Sequence, residues 1–222
     1  MTDRLPPSAS VALPAQGDTL FAPSAARNVA ALTQLLCDVA PDSGAALEIA
    51  SGTGQHITAF ATAMPRLDWT PSEIAPERIA SIDAYAAQAR LPNLRPAVML
   101  DAGSHGWAAQ HPPYALIHLA NLLHLIPEPV ASAVLTSAAQ ALAPAGTLVV
   151  YGPFRRSGRL TSRGDAQFDA ELRGANPLIG YKDDTWVNEV LTRAGLRSIV
   201  VRDMPANNLA FVARNDTRQD PP

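Results

Sequence analysis

Residues 45–60, AALEIASGTGQHITAF, constrain this chain more than any other stretch. A short apolar run (Ala45, Ala46, Leu47, Ile49) carries one embedded acid, Glu48. It breaks into Ser51-Gly52-Thr53-Gly54 and resumes at helical spacing with Ile57, Phe60 and Ala61. The pattern predicts a strand, a tight turn and a helix. Two glycines at such a turn let the backbone come close to a ligand, and the free N–H groups of the new helix offer an anion site. Ser51, Gly52, Thr53 and Gly54 are therefore candidate cofactor-binding residues. An acid buried at a strand end is costly without a partner, so Glu48 is expected to face a ligand amine or hydroxyls.

The glycine count separates two cofactor classes. A dinucleotide site has the pattern G-x-G-x-x-G, the third glycine allowing helix and strand to pack closely. Here the third position is Ile57, which counts against a nicotinamide-dependent oxidoreductase. Glu48 ahead of the glycines gives E-x-x-x-G-x-G, a turn that resembles the one in class I S-adenosyl-L-methionine (SAM) dependent methyltransferases.

The rest of the chain alternates strands and helices. Residues 1–23 are proline-rich without periodicity and are expected to form an irregular arm. Val29, Leu32, Leu35, Leu36 and Val39 predict a helix starting near Asn28, with Arg27 just ahead, where it is expected to meet a ligand carboxylate. A second strand ends at Glu73, which stands 19 residues beyond Gly54. That spacing suits an acid meeting a ribose diol, because one helix and one return strand intervene. Ala97–Asp101 reads as a third strand and Ala115–Ala120 as a fourth, apolar enough for the middle of a parallel sheet. Ligands in open α/β sheets bind beyond the strand carboxyl ends at the switch point, so Asn121 and His124 are expected to border the cofactor and the acceptor. His118, in mid-strand, reads as a core histidine.

Thr147–Tyr151 forms a fifth strand, and residues 155–180, with five arginines, are expected to be a substrate lid. Asp183 and Asp184 cap a further helix. Ile199–Val201 and Leu209–Ala213 predict a terminal antiparallel pair. The expected architecture is an α/β, doubly wound, Rossmann-like seven-stranded sheet with one antiparallel strand near the C-terminus. Residues 24–214 would form a single domain, and 215–222 a loose tail.

Charge narrows the partners. Lys and Arg number 17 against 20 Asp and Glu, a net −3, with no long basic run, so neither nucleic acid nor a membrane surface is an expected partner. The single Cys37 leaves no internal disulfide and no cysteine-rich metal site. No metal is expected, and the reading is of a cytoplasmic protein.

Several further segments join the glycine turn in resembling one family of methyltransferase-like proteins that carries a domain-of-unknown-function label. They are Arg27-Asn28, LEIASGTGQH (47–56), WTPSE (69–73), LD (100–101), NLLH (121–124), YGPF (151–154), FDAELR (168–173) and PANN (205–208). They span about residues 20–213. Glu73 departs from the aspartate usual in the family. The resemblance implies SAM as cofactor, and the class I pattern places Asp101 at the adenine amino group. The expected activity is methyl transfer to a small-molecule acceptor, with His124 the first candidate base and Tyr151 the second. A non-catalytic SAM-binding protein is the alternative from another class.

Overall fold

The computed structural model describes residues 5–216. A two-residue antiparallel pair, β1 (Leu13–Pro14) and β2 (Leu20–Phe21), precedes α1 (Pro23–Val39). The helix thus starts five residues earlier than its apolar spacing predicted. Pro23 at the first turn presets a helical φ without losing a needed N–H, and Arg27 and Asn28 lie inside the helix.

The main sheet is built from β3 (Gly44–Ile49), β4 (Leu67–Glu73), β5 (Val98–Met99), β6 (Tyr114–Ala120), β7 (Leu142–Pro153), β8 (Val200–Asp203) and β9 (Asn208–Arg214). Their spatial order is β5-β4-β3-β6-β7-β9-β8. Pairing is parallel except where β9 runs antiparallel to β7 and β8. The order reverses between β3 and β6, which places the switch point at the glycine turn. The connecting helices are α2 (Gln55–Ala63), α3 (Pro76–Ala89), α4 (Glu128–Gln140), α5 (Arg163–Ala175) and α6 (Asp184–Arg193).

Both faces of the sheet are covered. Leu47, Ile49, Ile117, Leu119, Leu148, Val150 and Phe211 pack with Val134, Leu135, Val187 and Leu191 of α4 and α6. Ala46, Leu116, Val149 and Tyr151 face the opposite core with Leu32, Leu36, Ile57, Phe60 and Ile82. Burial on both sides is why these strands read as continuous apolar runs rather than alternating ones.

Three segments differ from the sequence expectations. β7 begins at Leu142, before Pro144-Ala145-Gly146, because Asn215 clamps that bend: Ala145 N–H donates to Asn215 O (2.7 Å) and Asn215 N–H to Gly146 O (2.9 Å). Asn215 is thereby tied down and Asp216 accepts from Ser198 Oγ (2.6 Å), whereas the rest of the expected loose tail lies outside the described residues, as do the first four residues of the arm. Half of the 155–180 segment is helical, as α5 (Arg163–Ala175). Ser162 caps α5 by accepting from Asp165 N–H, and Asp169 anchors the helix with hydrogen-bonded ion pairs to Arg155 and Arg173, both 2.9 Å. Asp169 is held below the ordinary carboxylate range: burial pushes it up, and the Arg173, Tyr181 N–H and Arg155 hydrogen bonds outweigh that.

Candidate active site

A cavity of about 790 Å³ opens at the carboxyl ends of β3, β4 and β6, roofed by the N-terminal arm. Its size falls within the range of small-molecule sites. Two neighbouring strands each end there in a left-handed residue that is not glycine, Ala50 (φ 54) after β3 and Asn121 (φ 56) after β6. Such backbone is sparsely populated for residues with a Cβ, and it clusters at ligand-binding turns. Asn121 is held by its N–H donating to Tyr151 O (2.9 Å).

The two glycines of the turn do different work. Gly52 (φ +61) faces the cavity, and a Cβ there would meet nothing closer than Arg78 Nη1 at 3.7 Å. Gly54 (φ +94) caps α2 and turns away. A Cβ on it would fall 2.9 Å from Ile82 Cα and 3.3 Å from the Tyr85 ring. It fulfils the close-packing duty that the dinucleotide pattern gives to its third glycine, here between α2 and α3.

Glu73, at the end of β4, is buried but lines the cavity. Its carboxylate accepts from Gly52 N–H (3.0 Å) and Ile74 N–H (2.8 Å), which fixes it at the turn. Glu48 lies beneath the same turn and does not reach the lining; its Oε2 has no hydrogen-bond partner among the described residues. Burial, reinforced by Glu73 and opposed by Ser51, pushes its carboxyl up to about 8. It is therefore neutral at pH 7, which is how a buried acid without a cation is tolerated. His118 is its register partner on β6. Burial, then the His56 charge, pushes His118 down to about 3 despite the Val149 carbonyl. His56, in the first turn of α2, lines the cavity and is pushed down to about 4 by burial, the Ala25 carbonyl opposing.

Arg27, Ser51, Gly52, Thr53, Glu73, Asn121 and His124 all line the cavity. Glu48, Gly54, Asp101 and Tyr151 do not. Asp101 is exposed, one carboxylate oxygen accepting from Gly103 N–H (3.0 Å) in its own turn. Trp107 is a loop anchor, its ring N–H donating to Ala102 O (3.1 Å). The Tyr151 phenol points into the core, because alternate residues of β7 face α1 and α2; burial pushes it up to about 12, the Asn208 amide opposing. His124 is buried in the 3-10 turn Leu123–Leu125, with the Phe168 and Tyr181 rings edge-on at 5.8 and 6.1 Å between centroids. Burial, then the Lys182 ammonium, pushes it down to about 3, so it is a poor proton acceptor. Lys182 is itself buried and donates to Ile126 O (2.8 Å) and Gly180 O (3.0 Å); burial is the main cause that brings it down to about 8.

The arm supplies lining residues that no sequence pattern singles out. Leu5, Ser8, Ser10 and Val11 roof the cavity. Arg78 Nη2 donates to Ser10 O (2.9 Å) and Ser10 Oγ (2.6 Å), and Ala22 N–H donates to Gln55 Oε1 (2.6 Å). A proline-rich, aperiodic stretch carries no periodic signal of such contacts. Asp165 lies in the expected lid and Phe168 in the FDAELR segment, but no sequence pattern marks them or Tyr181 as cavity lining. Among the described residues no group of three or more His, Cys, Asp or Glu is placed to hold a metal, and no helix is long and apolar enough to cross a membrane.

This strand order, with its reversed strand and its glycine turn at the switch point, is the class I methyltransferase fold, and solved structures share it. An O-methyltransferase family protein from Burkholderia thailandensis superposes with a TM-score of 0.75 at 14% identity, over 88% of this chain and 57% of that one. Human N-acetylserotonin methyltransferase, solved in complex with SAM, gives 0.71 at 17% identity, over 87% and 53%. An O-methyltransferase family 2 protein from Planctomyces limnophilus, in complex with apigenin, gives 0.67 at 18% identity, over 84% and 61%. The chain thus spans little more than half the length of these proteins, and at such identities the likeness is one of fold. The chain belongs to the family described as protein of unknown function (DUF938), whose model matches residues 19–215.

Proposed function

We propose that the protein transfers a methyl group from SAM to a small-molecule acceptor. The observation that carries this reading is the Glu73 carboxylate, fixed against the Gly52 N–H inside a cavity at the switch point. It offers two oxygens to a diol, while Gly52 leaves open the space that a side chain would fill. Those features fit a ribose-bearing cofactor, and the solved relatives by fold include one in complex with SAM. Glu73 would hold the ribose hydroxyls, Arg27 the amino-acid carboxylate, and Ser51, Thr53 and Asn121 the rim of the turn. Asp101 and Glu48 have no direct part in this assignment, since neither lines the cavity.

Held there by Glu73 and Arg27, SAM would supply an electrophilic methyl on a sulfonium sulfur to an acceptor lone pair, with SAH as the leaving group. The chain's own contribution is placement and exclusion of water. Leu125, Ile126, Phe168 and Tyr181 wall the acceptor side, and the arm closes the top. His124, held neutral, can accept a hydrogen bond and orient the acceptor, and the acceptor's proton leaves to water.

Calorimetric titration tests the reading. S-adenosylhomocysteine (SAH) and SAM should bind and NAD should not, and a panel of phenols, amines and thiols should yield SAH with at least one acceptor. A folded protein that binds neither SAM nor SAH overturns it. Binding without turnover on any acceptor turns the reading to a non-catalytic SAM-binding protein.

A further inference from the structure

The acceptor half of the cavity carries a charge pattern of its own. Its walls come from the 3-10 turn after β6, the first turns of α5, Tyr181 and the β8–β9 turn. Three rings meet there edge to face: His124, Phe168 and Tyr181, with centroids 5.8 to 6.2 Å apart. Beside them stands Asp165, which lines the same half. The arginines that make the segment look basic do not line the cavity. Arg155 and Arg173 are engaged by Asp169, and Arg156 by Asp203. Lys182 stands behind the wall with its ammonium turned to two backbone carbonyls.

Asp165 has a structural use that must be subtracted first. Its Oδ2 accepts from Ser162 Oγ (2.7 Å) and from Asn207 Nδ2 (3.2 Å), steadying the start of α5 and the β8–β9 turn. Its Oδ1 has one longer partner, the Tyr181 hydroxyl at 3.3 Å. A carboxylate oxygen accepts two hydrogen bonds without strain, so Oδ1 retains capacity for a donor from the cavity. A carboxylate set among ring faces and edges is the arrangement that attracts a cation: the rings contribute their quadrupoles and the acid its charge.

We propose that Asp165, with Phe168 and Tyr181, forms a subsite for an ammonium group on the methyl acceptor. The inference rests on the methyltransferase reading above and narrows it. A protonated nitrogen has no lone pair to attack a methyl group, so the atom methylated is a different one on the same molecule. The acceptor class is then a small amine, cationic near neutral pH, that also carries a separate nucleophile such as a phenol hydroxyl. Asp165 is a specificity residue in this scheme.

The test uses the full chain saturated with SAH and three matched probes: tyramine, its alcohol analogue 4-(2-hydroxyethyl)phenol, and 3-(4-hydroxyphenyl)propionate. Calorimetry or NMR titration should find tyramine bound at least about tenfold more tightly than the alcohol, and the carboxylate weakest. Asp165→Asn should bring tyramine to within about twofold of the alcohol while SAH affinity stays unchanged. Phe168→Leu, which keeps the charge, should weaken tyramine about threefold or more and the alcohol less; it decides the matter should Asp165→Asn fail to fold. Equal binding of tyramine and the alcohol overturns the subsite. So does a tyramine preference that survives Asp165→Asn, or no binding of tyramine at millimolar concentration to protein that binds SAH. Failure to bind SAH at all sinks the methyltransferase reading instead, so the two failures are distinct.

Discussion

The Gly52 N–H donates to the Glu73 carboxylate over 3.0 Å, joining the turn after β3 to the end of β4. The glycine that lets a ligand approach and the acid placed to read it are thereby one unit. Removing the acid should loosen cofactor binding with little change to the fold, because Glu73 lies at the cavity wall. Glu73→Ala is expected to weaken SAH binding by about five- to a hundredfold, the cost of roughly 1–3 kcal/mol of lost hydrogen bonding. Gly52→Val should abolish binding by filling the space beside the backbone. Calorimetry on both variants decides it: SAH affinity equal to wild type in either would move the site elsewhere.

Gly54 should behave in the opposite manner. Its Cβ would press on Ile82 Cα at 2.9 Å, backbone that cannot step aside, in a left-handed conformation that a side chain strains. Gly54→Ala is expected to cost about 1–3 kcal/mol of stability, a fall of roughly 2–10 °C in Tm for a chain of this size. SAH affinity of the folded fraction should fall less than for Gly52→Val. An unchanged Tm would show that α2 and α3 can part without penalty.

The glycine turn, the seven strands and the antiparallel end were legible because each rests on a local pattern: apolar runs, glycine positions, capping acids. Asn121 and His124 follow from their place after a strand end and Glu73 from its spacing to Gly54, which topology converts into a position on the cavity wall. Side-chain direction was not legible. Tyr151 points into the core since β7 alternates, and an alternation phase is invisible in a strand buried on both faces. Asp101 sits in its own turn rather than in the cavity. The arm's part in the cavity was not legible for a different reason: its contacts, Ser10 with Arg78 and Ala22 with Gln55, join segments far apart in sequence.

The buried titratable groups fix the pH of greatest stability. Glu48 is pushed from 4.5 to about 8 on folding. Across that window the folded state keeps a proton that the unfolded chain has lost, so stability falls as pH rises, by up to about 1.4 kcal/mol per pH unit. His56, His118 and His124 are pushed down from 6.5 to about 4, 3 and 3. Below pH 6.5 the unfolded chain gains protons that the folded protein refuses, so stability falls as pH drops. The two trends meet near pH 6.5, where urea-derived stability should peak. Glu48→Gln keeps the shape of the neutral acid and should flatten the decline between pH 6.5 and 8. An unaltered decline in that variant would remove Glu48 as its source.

His124 poses the sharpest question of mechanism, because its position suggests a base while its surroundings oppose one. A ring pushed down to about 3 by burial and the Lys182 ammonium binds a proton too weakly to serve as a strong general base. With an acceptor in hand, the turnover profile should show no inflection near pH 6.5 from this ring and should follow the acceptor's own ionisation. His124→Ala should lower turnover by no more than about tenfold, chiefly through the acceptor's KM, against the 10²- to 10⁴-fold expected on losing a general base. His124→Asn, which can still accept a hydrogen bond, should recover part of the loss. An NMR titration of the wild-type ring supplies the readout that does not depend on activity. A midpoint for His124 between pH 6 and 7 would return it to the role of base and displace proximity and orientation as the main source of rate.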